Sequence, residues 1–227
     1  MLIRRLVPVA LSAVLVFSAG AALAGGPDLS SDKSRYSYAV GLQMGQQLKQ
    51  DLLEIDLDAF SAAVADAMAG KDPRLTTEEM QKAYQAMQLE RARAMDRLAV
   101  TNLKEGEDYR ASLRDKDGWK STESGILYKV VKKGSGSRPS PQDQVTVHYR
   151  GTLVNGDEFD SSYARNQPAT FGVTGVIQGW QEILQMMPEG STWSVVIPSS
   201  LAYGPRGTHG IGPNSTLLFD IELIKIN

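Results

Sequence analysis

Val176-Ile177-Gln178-Gly179-Trp180 lies among four other short patterns, at distances that one small domain could fold together. Upstream stand Val147-His148-Tyr149-Arg150-Gly151 and Phe159-Asp160-Ser161-Ser162. Downstream stand Ala202-Tyr203-Gly204 and Thr216-Leu217-Leu218-Phe219-Asp220. With Phe171, these stretches place Tyr149, Phe159, Phe171, Trp180, Tyr203 and Phe219 within about 70 residues. Gathered in one place, the rings would line a rigid, apolar pocket poor in titratable groups. Such a pocket suits a small hydrophobic ring, and proline is the natural candidate. Singly, each aromatic reads as an ordinary core residue. Jointly, with Asp160 beside Phe159 and two tyrosines whose hydroxyls need partners, they read as a pocket.

The chemistry available to such a pocket is rotation about an X–Pro bond, which crosses a barrier of ~18–20 kcal/mol and takes tens to hundreds of seconds unaided. The barrier is amide resonance, lost as the bond twists. The planar amide is the more charge-separated form. An apolar site disfavours it, and fixed contacts can favour the twisted one. No proton acceptor, covalent nucleophile, metal or other cofactor is needed. The chain has two histidines and no cysteine, and its serines stand outside any His-Asp pattern. Asp160 therefore reads as a hydrogen-bonded organiser rather than a base. His148, opposite Tyr149 in strand parity, reads as structural or solvent-facing.

The elements around these residues are strands and turns. Ile126 to Val131 is strand-like, and Lys133 to Pro141 is a Gly/Ser/Pro loop. From Gln144 to Val154 the residues alternate, with Val145, Val147 and Tyr149 on one face. Asn155-Gly156 signals a hairpin. Phe159 to Ser162 follows, and Ala169 and Phe171 share a strand face. Gly179 to Gln185 suits one short helix, and Trp193 to Ile197 and Leu217 to Ile226 are strands. Many antiparallel strands with one short helix predict an α+β sheet curled over that helix.

The preceding stretch has a different composition. From Ser31 to Arg114 it is rich in Ala, Gln, Met, Glu, Lys and Arg, with proline only at 73. Helices are expected over Ser34–Gln50 and Asp58–Ala69, the second with Asp58 as N-cap and Gly70 as its stop. Thr76 and Glu79 form a capping-box signature, opening a helix to about Arg114 that would be ~58 Å long. Its middle, residues 90–97, is charged and shows no sustained apolar seam. Gly106 is its weak point, costing about 1 kcal/mol relative to Ala, and is the expected place of bending. The two shorter helices present Tyr36, Met44, Leu48, Leu57, Phe60, Val64 and Met68, too many apolar residues for elements of this size to bury alone. Gly41 and Gly45 would let another backbone approach. A homodimer through residues 31–90 is expected.

The termini and composition bound the setting. Arg4 and Arg5, an apolar run from Leu6 to Phe17 and Ala22-Leu23-Ala24 read as a signal peptide cleaved near Ala24; the run is shorter than the ~20 residues of a membrane span. Without cysteine there is no disulfide framework, thiolate metal site or lipid-modified cysteine. With 24 basic and 26 acidic residues the chain is no polycation, so nucleic acid is not an expected partner.

Over Ser124–Asn227 these motifs, in this order, resemble the FK506-binding protein (FKBP) family of peptidyl-prolyl isomerases. Tyr38 to Lys49, and Gln167 to Phe171, resemble its macrophage infectivity potentiator (Mip) branch. The resemblance implies a signal peptide (1–24), a helical dimerisation domain (25–75), a long connecting helix (76–118) and an FKBP-type isomerase domain (119–227). It implies that Tyr149, Phe159, Asp160, Tyr203 and Phe219 are catalytic, and that Val176, Ile177, Trp180, Phe171, Arg165 and Ile211 bind substrate. Trp180 would be the floor, with the Ile177 N–H and the Tyr203 hydroxyl as donors to substrate carbonyls. The chain departs at Ala169, where small members of the family carry another pocket aromatic, and in the length of the loop from Pro205 to Pro213, which bears on His209 and Ile211. The resemblance further implies proline-containing exported polypeptides as substrates and FK506-like macrolides as inhibitors. The implied location is the periplasm or outer surface of a Gram-negative bacterium. A chaperone-like protein holding unfolded chains in a dimeric cleft, with incidental isomerase activity, is the alternative.

Overall fold

A computed structural model describes residues 26–50 and 53–227. The expected signal peptide and its cleavage site lie outside the described residues. The chain forms two compact units that divide between Gln46 and Gln47.

The first unit holds most of α1 (Asp32–Gln50). Tyr36, Tyr38, Val40, Leu42 and Met44 on this helix are exposed. A Cβ on Gly41 or Gly45 would meet no atom within 4 Å. The apolar face and the small-residue positions are both open.

In the second unit, α2 spans Leu57–Met68. Its N-cap is Asp56, not the expected Asp58. Asp56 Oδ1 accepts from the backbone N–H groups of Asp58 and Ala59, at 2.9 and 3.0 Å. A carboxylate just ahead of the helix reaches these free first-turn donors, which one inside it cannot. Gly70, with φ +66°, ends the helix as expected. Leu57 and Met68 are 70% and 86% exposed. The long helix α3 spans Thr77–Arg114, opened by the Thr76/Glu79 capping box.

The two halves of α3 differ. Residues 81–93 are exposed throughout, as a charged rod should be. Beyond them, half-buried or buried positions recur at Leu98, Asn102, Gly106, Tyr109, Arg110 and Leu113, the spacing of one helix face. This seam lies beyond the charged middle, and glycine, asparagine and arginine interrupt its apolar residues. Gly106 is not an open weak point. It is buried, and a Cβ on it would stand 2.1 Å from Thr216 Oγ1. Glycine here permits close packing rather than bending.

The sheet follows, with strands β1 (Trp119–Ser121), β2 (Leu127–Lys132), β3 (Gln144–Leu153), β4 (Glu158–Ser161), β5 (Ala169–Gly172), β6 (Thr192–Ile197) and β7 (Leu217–Ile226). All pairings are antiparallel, in the order β1-β2-β6-β7-β3-β4, with β5 also on β3. The single short helix α4 (Gln178–Met186) covers the inner face. Val145, Val147 and Tyr149 alternate inward on β3, and Leu217, Phe219, Ile221 and Leu223 on β7. They pack with Trp180, Ile183, Leu184 and Met187 of the helix segment. A Cβ on Gly179 would lie 2.4 Å from Ile197 Cγ2, so only glycine lets α4 sit this close to β6. A second cluster forms on the outer face, where Tyr109, Leu113 and Trp119 cover Leu127, Val196 and Leu218. The end of α3 is therefore part of the sheet's own packing.

Candidate functional site

β3 and β4 supply one wall of the site. Arg150 pairs with Ser161 and Gly151 with Asp160, but the next pair is Thr152 with Glu158. Phe159 is thus the extra residue of a β-bulge. Without it, strand alternation would send Phe159 and Asp160 to opposite faces. The bulge lets both lean inward. The hairpin loop is Val154-Asn155-Gly156, closed by Leu153 N–H donating to the Asp157 carbonyl at 2.9 Å, with Gly156 at φ +92°.

Trp180, 3% exposed, lies at the centre of the rings. The Tyr149 ring stands 5.3 Å from it at 89°, Phe171 5.9 Å at 86°, and Phe219 5.2 Å at 82°. Phe159 meets Phe219 at 5.6 Å and 89°. Edge-to-face contacts of this kind fix ring orientation, each contributing about 0.5–1.5 kcal/mol. The indole N–H of Trp180 is buried without a partner among the described residues.

Tyr149, Asp160 and Arg165 close a triangle at the side. The Tyr149 hydroxyl donates to Asp160 Oδ2. Arg165 donates to Asp160 Oδ1 at 2.5 Å and to the Tyr149 hydroxyl at 2.8 Å, its guanidinium 5.7 Å above the Tyr149 ring. Burial pushes the Asp160 carboxyl up, but the hydrogen bonds from Tyr149 and Arg165 outweigh it and hold the group below its ordinary value. Burial, and then the Asp160 carboxylate, push the Tyr149 phenol up. Arg165 is also raised, chiefly by its bond to Asp160. Asp160 is therefore an ionised acceptor whose oxygens are both engaged and whose lowered pKa makes it a weak base. The triangle ties Arg165, which the resemblance gives as substrate-binding, to Tyr149 and Asp160.

The remaining predicted residues lie on two segments. Val176 and Ile177 lead into α4, half-buried, and Gln181 Nε2 donates to the Val176 carbonyl at 2.7 Å. The Ile177 carbonyl accepts from Trp180 and Gln181, while its N–H has no acceptor among the described residues. Tyr203 is 41% exposed, and its hydroxyl makes no hydrogen bond to the described residues. Ile211 is buried in the main core and bonded reciprocally to Thr208 at 2.8 and 2.9 Å. His209 is exposed. Phe171 contacts both Tyr149 and Trp180, and so occupies wall space beside the smaller Ala169. His148 faces away, stacked on Tyr163 at 4.7 Å and hydrogen-bonded to Ser162 Oγ at 3.0 Å.

Ser162 was not expected to matter. It is fully buried, and its Oγ accepts from the Tyr149 backbone N–H at 2.8 Å while its own N–H donates to the Tyr149 carbonyl at 3.0 Å. It fixes the strand position from which Tyr149 projects. Gln181 and Gly151 were missed likewise. Gln181 follows Trp180 directly in sequence, whereas Gly151 is marked only by the Phe159 and Phe219 rings packed against it.

A cleft of about 510 Å³ lies elsewhere, beside the stacked Tyr128 and Trp193 rings (4.7 Å, 12°) and rimmed by Lys120, Lys133 and Arg138. Its lining has none of the rings around Trp180. Among the described residues no group of three or more His, Cys, Asp or Glu could hold a metal ion. Among the same described residues no helix is long and apolar enough to cross a membrane.

Comparison with known proteins agrees with this geometry. Residues 136–224 match the family of FKBP-type peptidyl-prolyl cis-trans isomerases, and residues 33–130 match the domain amino-terminal to such isomerases. The chain is 43% identical over 203 residues to the FKBP-type 22 kDa peptidyl-prolyl cis-trans isomerase of Escherichia coli, covering 88% of this chain and 98% of that protein. It is 38% identical over 217 residues to the outer membrane protein MIP of Legionella longbeachae, covering 93% of each. The crystal structure of FkpA from Escherichia coli superposes with a TM-score of 0.65 at 36% identity, over 88% of this chain and 99% of that one.

Proposed function

This chain belongs to the family of FKBP-type peptidyl-prolyl cis-trans isomerases, and we propose on that footing that the ring set around Trp180 is its prolyl site. Its activity is the cis/trans interconversion of X–Pro bonds. The observation that carries the site reading is Trp180, buried beneath three rings at near right angles, and it is joined by an Ile177 N–H and a Tyr203 hydroxyl that have no partner among the described residues.

Chemically, the prolyl ring rests on the indole while Tyr149, Phe159, Phe171 and Phe219 exclude water. The Ile177 N–H and the Tyr203 hydroxyl hold substrate carbonyls. Desolvation removes the water that stabilises the planar, charge-separated amide, and the fixed donors favour the twisted geometry. Asp160 stays ionised and holds Tyr149 and Arg165 in place. In a protease-coupled peptide assay, Tyr203→Ala should lower the rate more than tenfold; an unchanged rate would remove Tyr203 from the site.

The wider setting is part of the same proposal. The clients are proline-containing exported polypeptides, and FK506-like macrolides inhibit. The open apolar faces of α1 and α2 support a homodimer through residues 31–90, and a chain of residues 91–227 should sediment as a monomer where the longer one is a dimer. Those faces also favour a second reading, in which the helices hold unfolded chains and isomerisation is incidental. In that case Tyr203→Ala would leave suppression of client aggregation intact.

A further inference from the structure

The segment Tyr203–Thr216 carries two residues of the prolyl site and has little regular structure of its own. Among the described residues, every hydrogen bond that leaves residues 203–215 ends on α3. Asn102 Nδ2 donates to the Pro213 carbonyl at 2.8 Å and to Ser215 Oγ at 3.3 Å. Asn214 Nδ2 donates to the Ala99 carbonyl at 3.4 Å. The other bonds stay inside the loop: Asn214 N–H to the Gly204 carbonyl at 2.9 Å, Thr208 with Ile211, Gly207 to Gly204, and Ser215 Oγ to the Gly212 carbonyl.

Packing follows the same line. A Cβ on Gly212 would stand 3.0 Å from Asn102 Nδ2 and 3.3 Å from Leu98 Cδ2. One turn along α3, Gly106 takes Thr216 against its bare backbone. A single face of the helix thus grips residues 212–216, the root of the loop. Asn214 transmits that grip to Gly204, the neighbour of Tyr203.

We propose that Asn102 is a positioning residue for the isomerase: through Pro213 and Ser215 it pins the loop that presents Tyr203 and Ile211 to substrate. The proposal rests on the reading that this loop contacts the substrate. A loop without strand partners samples many conformations unless something fixes its ends. The exposed Tyr203 hydroxyl has nothing of its own to hold it. Asn102 supplies the fixed end, and Gly106 lets the helix come close enough to do so. The connecting helix then acts as a strut of the site as well as a spacer.

The test uses the full chain with Asn102→Ala and Asn102→Asp, which both lose the amide donor, the second without loss of volume. Leu113→Ala serves as a control that weakens the contact of α3 with the sheet away from the loop. Hydrogen exchange of the amides of residues 204–214 should quicken in both Asn102 variants, while β3 and β7 stay protected. KM for a proline tetrapeptide should rise about fivefold with kcat within twofold, the effect of one ordinary hydrogen bond lost from binding. Leu113→Ala should leave KM unchanged at an equal or greater loss of thermal stability. Wild-type KM in the Asn102 variants, with or without faster exchange, would overturn the proposal. So would a KM rise no larger than that of Leu113→Ala. Failure of the underlying reading is seen separately: Tyr203→Ala would then retain wild-type KM and kcat.

Discussion

Gly151 and Phe159 stand so close across the β3–β4 hairpin that no side-chain carbon fits between them. A Cβ on Gly151 would lie 2.7 Å from Phe159 Cζ and 2.9 Å from the Phe219 ring. The bulge turns Phe159 inward and the glycine makes room for its ring, so the edge-to-face Phe159–Phe219 pair depends on both.

Gly151→Ala should push Phe159 off Phe219 and into the space assigned to the prolyl ring. Overpacking of this kind costs about 1–3 kcal/mol of stability. The expected outcome is a folded protein with a lowered denaturation midpoint and at least a tenfold loss of kcat/KM. Wild-type kcat/KM would show that the Phe159–Phe219 wall does not meet the substrate.

Asp160→Ala should leave the Tyr149 hydroxyl and the Arg165 guanidinium without their shared acceptor. Hydrogen bonds to charged groups contribute about 1.5–3 kcal/mol, so kcat/KM should fall by roughly 10- to 100-fold. The circular dichroism spectrum should be unchanged, since the core beneath Tyr149 is apolar and intact. Retention of activity would contradict the organising role given to Asp160.

Activity should be flat with pH between about 5 and 9, because neither Asp160 nor Tyr149 changes charge there: Asp160 is held below its ordinary value and Tyr149 above its own. The stability linked to Asp160 is present above its unfolded pKa near 4 and is lost as pH falls through the lower folded value. That linked to Tyr149 is present below about 10 and is lost as pH rises through the higher folded one. A bell-shaped profile of kcat/KM centred near neutrality would mean that a proton acceptor participates after all.

Much of the sheet was legible because its signals are local. Val145, Val147 and Tyr149 alternate cleanly, and Leu217–Ile226 was bounded correctly. The Thr76/Glu79 box gave the start of α3. What stayed hidden depends on partners distant in sequence. The α3 seam binds through Asn102, Gly106 and Arg110, which carry no hydrophobic period. Ser162 and Gly151 matter only because Tyr149 and Phe159 stand opposite them. Gly106 looked like a weak point since an isolated helix shows only its propensity, and Thr216 lies 110 residues away.

The same packing makes the end of α3 part of the sheet's cover. A fragment Ser121–Asn227 lacks Tyr109, Leu113 and Trp119, and so uncovers Leu127 and Val196, which are 2% and 1% exposed in the full chain. At about 1.5–3 kcal/mol for each such side chain, it should be at least ~3 kcal/mol less stable than Ala94–Asn227. Urea denaturation of the two fragments measures this directly, and equal stabilities would show that the end of α3 contributes nothing to the sheet.

The most direct test of the prolyl site reads the indole N–H resonances of a ¹⁵N-labelled chain. It has three tryptophans, Trp119, Trp180 and Trp193, assigned by replacing each of the other two with phenylalanine. On titration with a proline tetrapeptide, the Trp180 resonance should move most, because the proposed site puts its N–H, which has no partner among the described residues, in the floor beneath the prolyl ring. Trp119, on the outer face, and Trp193, stacked on Tyr128, should barely shift. Saturable binding that moves Trp193 or Trp119 and leaves Trp180 in place would contradict the account.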